Sequence, residues 1–202
     1  VEKILPLLQE GKCARLADLT DDERLAIKDM FLLTMKPTLY VANIDEDSIA
    51  DGTNKYVETL KKIAESENSE VVVICGKFEA DLAEITDPAD RKDFMDSVGL
   101  TESGLAVLAK KAYHLMGLAT FFTGGADECR AWTIHAGDTA PKAAGVIHTD
   151  FEKGFIRAEI VDYDILVELG SFNAAKEKGK VRSEGKEYVV KDGDVVLFRF
   201  NV

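Results

Sequence analysis

Two short stretches put polar side chains and flexible backbone where a small ligand can be read. Asn43-Ile44-Asp45-Glu46 closes the apolar run TLYVAN, and Cys75-Gly76-Lys77 closes the apolar run VVVIC. Ligands of open α/β sheets bind just outside the carboxyl ends of the strands, so both stretches stand where a nucleotide base would meet an amide, a carboxylate and backbone N–H groups. Read alone, Asn43 to Glu46 also fits a plain strand end approaching a helix. Cys75 has no histidine or basic cluster beside it in sequence, which favours a small buried apolar role over that of a nucleophile. Phosphate handling requires more than these residues. A phosphate loop of the form G-x-x-x-x-G-K-[ST] cradles phosphates with backbone N–H groups and a lysine, and its hydroxyl binds magnesium. Here Gly11-Lys12 is followed by Cys13 and Gly76-Lys77 by Phe78, so neither pair supplies that hydroxyl. No catalytic residue is assigned.

A second group of candidates lies toward the carboxyl end. His148, Asp150 and Glu152 alternate within HTDFEKGFIR, but they lack the paired histidine or cysteine spacing of a zinc site, so a surface loop that contacts a partner or hydrogen-bonds the following strand is expected and no metal. His148, Lys153 and Arg157 are its candidate contact residues. Lys176, Lys178, Lys180, Arg182 and Lys186 crowd one further segment, interrupted by Glu177 and Glu184. Such a run reads either as a solvated face or as a local contact for RNA, with Lys178, Lys180 and Arg182 at its centre. Trp132 and Phe151 have the rings to stack on bases, although a lone tryptophan in a predicted strand fits a core position equally well. Asp192-Gly193-Asp194 reads as a tight turn before the last strand and is no calcium loop.

Composition narrows the function classes. With 202 residues and 46% hydrophobic content the chain can bury a real core. A net charge of -12 excludes coating of nucleic acid by bulk electrostatics, so any RNA contact is local. Residues 118–202 carry 11 basic and 14 acidic side chains against 14 and 23 in residues 1–117, which concentrates the acidity in the first part. Three widely spaced cysteines do not make a secreted disulfide framework, and a cytoplasmic location fits them. No stretch reaches the roughly 18 apolar residues of a membrane span. The chain opens at Val1 already in helical periodicity, which predicts that other residues precede it in a parent protein.

The elements that must position these residues follow from periodicity and punctuation. Residues 1–34 read as two helical pieces, one with Ile4, Leu7 and Leu8 on a stripe and the other with Leu25, Ile27, Met30, Phe31 and Leu33. Thr20 is a good N-cap before three acidic residues. Strands are expected at TLYVAN and VVVIC with an amphipathic helix over about residues 54–66 between them, the βαβ signature of an α/β domain. Helices follow near 77–85, 88–97 and 102–115. From about Leu118 the texture changes to short strands at TFFTG, ECRAWTIHA, FIRAEIVDY, EYVV and VVLFRF, with helical runs at APKAAGVI and around FNAAKEK, which predicts an α+β domain. The boundary near Gly117 reads as a helix end.

The stretch RAWTIHAGDTAPKAAGVIHTDFEKGFIRAEIVDYD, from Arg130 to Asp164, and the closing VVKDGDVVLFRFNV resemble the TGS domain of the YchF family, also called the Obg-like ATPases. The resemblance implies three parts: 1–35 as the end of a helical insertion, 36–117 as the C-terminal α/β half of a P-loop G domain, and 118–202 as a TGS domain of ubiquitin-like β-grasp fold. In ordinary GTPases the base-reading loop is N-K-x-D. Here Ile44 stands at the lysine position, and Glu46 holds the acid position with an extra methylene that misplaces its carboxylate for guanine. A buried carboxylate without its donors costs about 1–3 kcal/mol, so guanine selectivity should weaken, and the family is associated with ATP use. Asn43, Ile44, Glu46, Cys75 and Gly76 thereby become the base-binding candidates, Cys75-Gly76-Lys77 taking the place of the S-A-K loop. The intact parent would hold ATP or GTP with magnesium and work at the ribosome or on ribosomal RNA, while this chain alone would bind no cofactor and be inactive. A non-catalytic RNA- or ribosome-binding module is the competing reading.

Overall fold

A strand, a helix and a second strand parallel to the first form the centre of the first half of the chain. The computed structural model describes residues 1–125 and 128–201 and divides into two units, Val1–Met116 and Gly117–Val202. In the first unit α1 spans Leu5–Gln9 and α2 Asp21–Ala26. The start of α2 is fixed as the sequence predicts: Glu23 N–H donates to the Thr20 hydroxyl while Glu23 Oε2 accepts from Thr20 N–H. Its end differs from expectation. The helix stops at Ala26, a single 3-10 turn follows over Lys28–Met30, and Phe31 turns left-handed at φ 48°. That break scatters the expected stripe, so Leu25, Met30, Phe31 and Leu33 are exposed, while Ile27, Leu32 and Met35 pack with Ile4, Ala14 and Ala17.

β1 (Leu39–Asn43) runs parallel to β2 (Glu70–Ile74), with Leu39 opposite Glu70 and Asn43 opposite Ile74. The crossover helix α3 (Lys55–Ser66) is capped by Asn54, whose Oδ1 accepts from Tyr56 and Val57 N–H, and it buries Val57 and Ala64. At its other end Glu67 accepts from the Tyr40 hydroxyl at 2.7 Å and from the Arg15 guanidinium, tying the opening segment to β1. The Tyr40 hydrogen bond, followed by the Arg15 charge, holds the Glu67 carboxyl below its ordinary range. Three helices complete the unit: α4 (Gly76–Glu84), α5 (Pro88–Ser97) and α6 (Gly104–Leu115). Phe78 of α4 stacks on Phe94 of α5 at 4.8 Å. The buried Glu79 carboxylate accepts from Gly104 N–H at 2.6 Å and Leu105 N–H at 3.4 Å, answering donors at the start of α6 that no helical carbonyl reaches.

The second unit is a mixed five-stranded sheet. β3 (Leu118–Gly124) and β4 (Cys129–His135) form an antiparallel hairpin, followed by α7 (Ala140–Ile147), α8 (Thr149–Lys153) and β5 (Phe155–Asp162). Then come α9 (Tyr163–Leu169), α10 (Phe172–Glu177), β6 (Arg182–Glu184) and β7 (Asp194–Phe200). The order across the sheet is β4-β3-β7-β5-β6, with β7 parallel to β3 and antiparallel to β5. One face packs Phe121, Ile134 and Ile160 against Ala140, Ala143 and Ala144 of α7, and the other packs Val161 and Val195 under α9 and α10. EYVV makes no strand: Val190 N–H donates to Asp138 and Tyr188 C=O accepts from Ala140, which leaves only an isolated bridge between Thr139 and Val189. HTDFEK is helical where a loop is expected, and FIRAEIVDY gives up its last residue to α9. Among the described residues no helix is long and apolar enough to cross a membrane.

Gly154 marks the tightest approach, since a Cβ there would lie 1.9 Å from the carbonyl oxygen of Asn201. Gly154→Ala is therefore expected to cost about 1–3 kcal/mol by forcing the end of β7 aside. Gly185→Ala, with open space around it, should stay within about 0.5 kcal/mol. Urea unfolding followed through the single tryptophan, Trp132, measures both; equal midpoints for the two variants would contradict the packing.

Candidate functional site

The carboxyl ends of β1 and β2 are joined by one side chain. Gly76 N–H donates to Asn43 Oδ1 at 2.9 Å, and Ile44 N–H donates to the Ile74 carbonyl at 2.8 Å, prolonging the ladder one residue past the strands. Asp45 Oδ1 then accepts from Ser48 N–H and turns the chain into a 3-10 turn over Glu46–Ser48. Glycine fits at position 76 because a Cβ would come within 3.3 Å of the Asn43 oxygen. Glu46 and Lys77 close the rim as an ion pair, and the Glu46 carboxylate, by hydrogen bond and then by charge, holds the Lys77 ammonium above the ordinary lysine range. Both side chains are well exposed, so solvent screens the pair and it adds little to stability.

Asn43, Glu46 and Gly76 are thus brought together, as the sequence implies, but Cys75 is buried at 6% exposure and Ile44 faces differently. It is 9% exposed and packs with Val57, Cys75 and Phe78, so it belongs to the core and does not form an open apolar surface. Behind it lies a hollow of about 120 Å³ lined by Ile44, Ile49, Cys75, Phe78, Glu79 and Gly104 among others. Asn43→Ala should leave Gly76 N–H without its partner and cost about 1 kcal/mol locally, read as roughly five- to tenfold faster amide exchange at Gly76. Asn43→Asp keeps an acceptor and should keep the protection. Unchanged exchange in the alanine variant would remove Asn43 from this role.

The candidates of the second unit do not gather into one patch. His148 caps α8, its Nδ1 accepting from Asp150 N–H at 3.2 Å, and Lys153 is exposed at the end of the same helix. Glu152 instead lies over Gly145, and among the described residues no cluster of three or more His, Cys, Asp or Glu is arranged for a metal. Lys178 and Lys180 are exposed just past α10. Arg182 corrects the reading of the basic run as uniformly solvated: it donates to Asp162 at 2.8 Å and to the buried Asp194 at 3.3 Å, and lies over the Tyr188 ring. Asp194 also accepts from the Tyr188 hydroxyl and Lys191 N–H. Burial first, and that bond to Asp194 second, push the Tyr188 hydroxyl up to about 12. Trp132 packs on the core and donates to Thr123, with Arg130 over its ring at 4.3 Å, and Phe151 stacks on Phe200.

Arg157 and Arg182 leave opposite faces of the sheet, since Arg157 shares the face of Glu159 and Val161 while Arg182 pairs with Ile160. Sequence reasoning missed Glu159 and Arg199, which join Arg157 on that face: Glu159 accepts from Arg157 at 3.1 Å and from Arg199 at 3.1 and 3.3 Å. The signal available was the i, i+2 spacing of Arg157 and Glu159 within a predicted strand.

Comparison with known proteins shows what the chain is similar to. Residues 118–201 match the family model YchF-GTPase_C, described as a protein of unknown function (DUF933). The ribosome-binding ATPase YchF of Haemophilus ducreyi is 49% identical over 202 residues, covering 100% of this chain and 55% of that protein. The ribosome-binding ATPase YchF of Bacillus subtilis is 48% identical over 203 residues, with the same coverage. The solved YchF GTPase of Schizosaccharomyces pombe superposes with a TM-score of 0.82 at 35% identity, covering 98% of this chain and 53% of that one. The chain spans about half the length of the curated relatives it matches. Over its whole length the chain is similar to YchF proteins, and its residues 118–201 match the model of that family.

Proposed function

We propose that this chain is the base-reading and partner-binding portion of a YchF-like ATP/GTP hydrolase that works on the ribosome. In this reading residues 1–35 end a helical insertion, residues 36–117 complete a P-loop G domain, and residues 118–202 are a TGS domain. The observation that carries it is the Asn43–Gly76 hydrogen bond, which sets an asparagine and a backbone N–H loop side by side at the carboxyl ends of two parallel strands. The hairpin β3–β4, the crossing helix α7 and a final strand inserted parallel to β3 support the β-grasp assignment. Relatives named as ribosome-binding ATPases support the ribosome as partner.

Glu46 bears on base choice. Its carboxylate is answered by Lys77 rather than held open for a guanine ring, which favours adenine. Asn43 and Gly76 would brace the base, and the residues supplying phosphate and magnesium contacts would come from outside this chain. Phosphoryl transfer draws on those phosphate and metal contacts, so the role of these residues is binding and orientation.

In the longer protein containing this chain, Glu46→Asp should move selectivity toward GTP by about 1–3 kcal/mol. Competition titrations with ATP and GTP measure it, and an unchanged ratio would mean that the Asn43 to Glu46 loop does not face the base. The chain itself should pellet with ribosomes, less so as salt rises, while releasing no phosphate from ATP or GTP above background. Recovery in the supernatant at every salt concentration would refute ribosome binding by this portion, and turnover by the chain alone would refute its reading as a non-catalytic part.

A further inference from the structure

Arginines stand directly opposite one another in the β5–β7 ladder at Arg157 and Arg199. Like charges so placed repel, and the structure answers them with a single carboxylate. Glu159, with 9% of its side chain exposed, accepts from Arg199 Nε on Oε1 and from Arg199 Nη2 on Oε2, and Arg157 Nη2 adds a further bond to Oε1. Arg199 alone therefore gives each carboxylate oxygen a donor in a forked pair, and Arg157 is not needed to satisfy it. The Arg157 side chain is 52% exposed and that of Arg199 48%. Of five N–H donors on each, Arg157 commits one and Arg199 two to Glu159. Lys176 of α10 adds a third positive charge, and after the Arg199 and Arg157 hydrogen bonds it too helps hold the Glu159 carboxyl below its ordinary range. Three cations around one anion make a local positive site on a chain whose net charge is -12. The two guanidiniums are held in place before any ligand arrives, which lowers the ordering cost of binding.

We propose that Arg157 and Arg199, oriented by Glu159, form a phosphate-binding platform for an RNA backbone on the part of their sheet face that α9 and α10 do not cover. The proposal rests on the ribosome reading above and names the chemistry of the contact. A guanidinium fork matches two phosphate oxygens, and a ribose-phosphate chain offers successive anions to Arg157, Arg199 and Lys176 in turn. An acidic protein surface would meet the same forks but does not present anions at the regular spacing of a phosphate backbone.

The test uses the whole chain and a fluorescein-labelled oligouridylate in anisotropy titrations at several salt concentrations, with ribosome co-sedimentation alongside. Arg157→Gln with Arg199→Gln should weaken binding about tenfold or more and lower the salt slope by about two, one per phosphate contact. Arg91→Gln with Lys92→Gln removes the same charge from exposed positions of α5 and should leave both readings where they were. Glu159→Gln keeps both positive charges but loses the carboxylate that orients them, and should weaken binding, a loss that charge alone would not produce. If the double glutamine variant fails to fold, Arg157→Lys and Arg199→Lys singly keep the charge but lose the fork, and each should still weaken binding. Wild-type affinity in folded platform variants, with ribosome pelleting retained, would overturn the platform and leave the ribosome reading standing. Loss of pelleting by the wild-type chain would instead count against that reading. Equal weakening in the α5 control would reduce the effect to general electrostatics, and tighter binding of polyglutamate than of the oligouridylate would assign the face to a protein; either result overturns the proposal.

Discussion

A carboxylate taken out of water must be answered by donors, and this chain meets that requirement at Glu79, Glu159 and Asp194, its buried acids among the described residues. Each answer joins separate segments, 25 residues apart at Glu79 and 40 at Glu159 but no more than 12 at Asp194. Glu79 binds α4 to the first turn of α6, Asp194 binds the start of β7 to Arg182 and to the Tyr188 segment, and Glu159 binds β5 to β7. Removing one partner from such a group leaves the desolvation cost unpaid for, so these contacts are stiffer constraints than the more numerous surface pairs. The hydrophobic faces decide which elements meet, and the buried acids decide how those elements are aligned.

The sequence was most legible where a segment declares itself locally. The helices α3, α4, α5 and α6 lie within a residue or two of their expected limits: Asn54, Asp87 with Pro88, and Ser103 start α3, α5 and α6, while α4 has no side-chain cap and follows directly on the end of β2. The opening segment was less legible. Its apolar residues have helical spacing, but the chain breaks into one-turn pieces and the left-handed Phe31 resets the phase. EYVV has strand composition, yet its backbone groups are taken up by Asp138 and Ala140 on a remote loop, and no local pattern encodes that.

The candidate sites divide in the same way. Asn43 and Gly76 could be brought together from sequence because strand ends in a βαβ unit converge, whereas the inward turn of Ile44 depends on the packing of α3 and α4 around it. Arg182 looked like one more member of a basic run until Asp162 and Asp194 claimed it. Glu159 with Arg199 is invisible to any window of sequence, since the two meet only through the register of β5 with β7. A run of like charges is therefore a weaker guide to a surface than the alternation within a strand, which states which charges share a face.

The central strand of the second sheet is also its last in sequence. β7 lies between the β3–β4 hairpin and the β5–β6 pair, and no other strand touches both. Until β7 is in place these are two separate antiparallel pieces with open edges facing each other, and the parallel contact of Phe122 with Val195 closes the longest loop in the unit. Contacts of that separation slow folding, because the chain loses loop entropy before the pairing rewards it. On a chain emerging vectorially from its own synthesis, the hairpin and helices would wait as unsealed halves exposed to chaperones and to intermolecular strand pairing, and the sheet would close in one late, cooperative step.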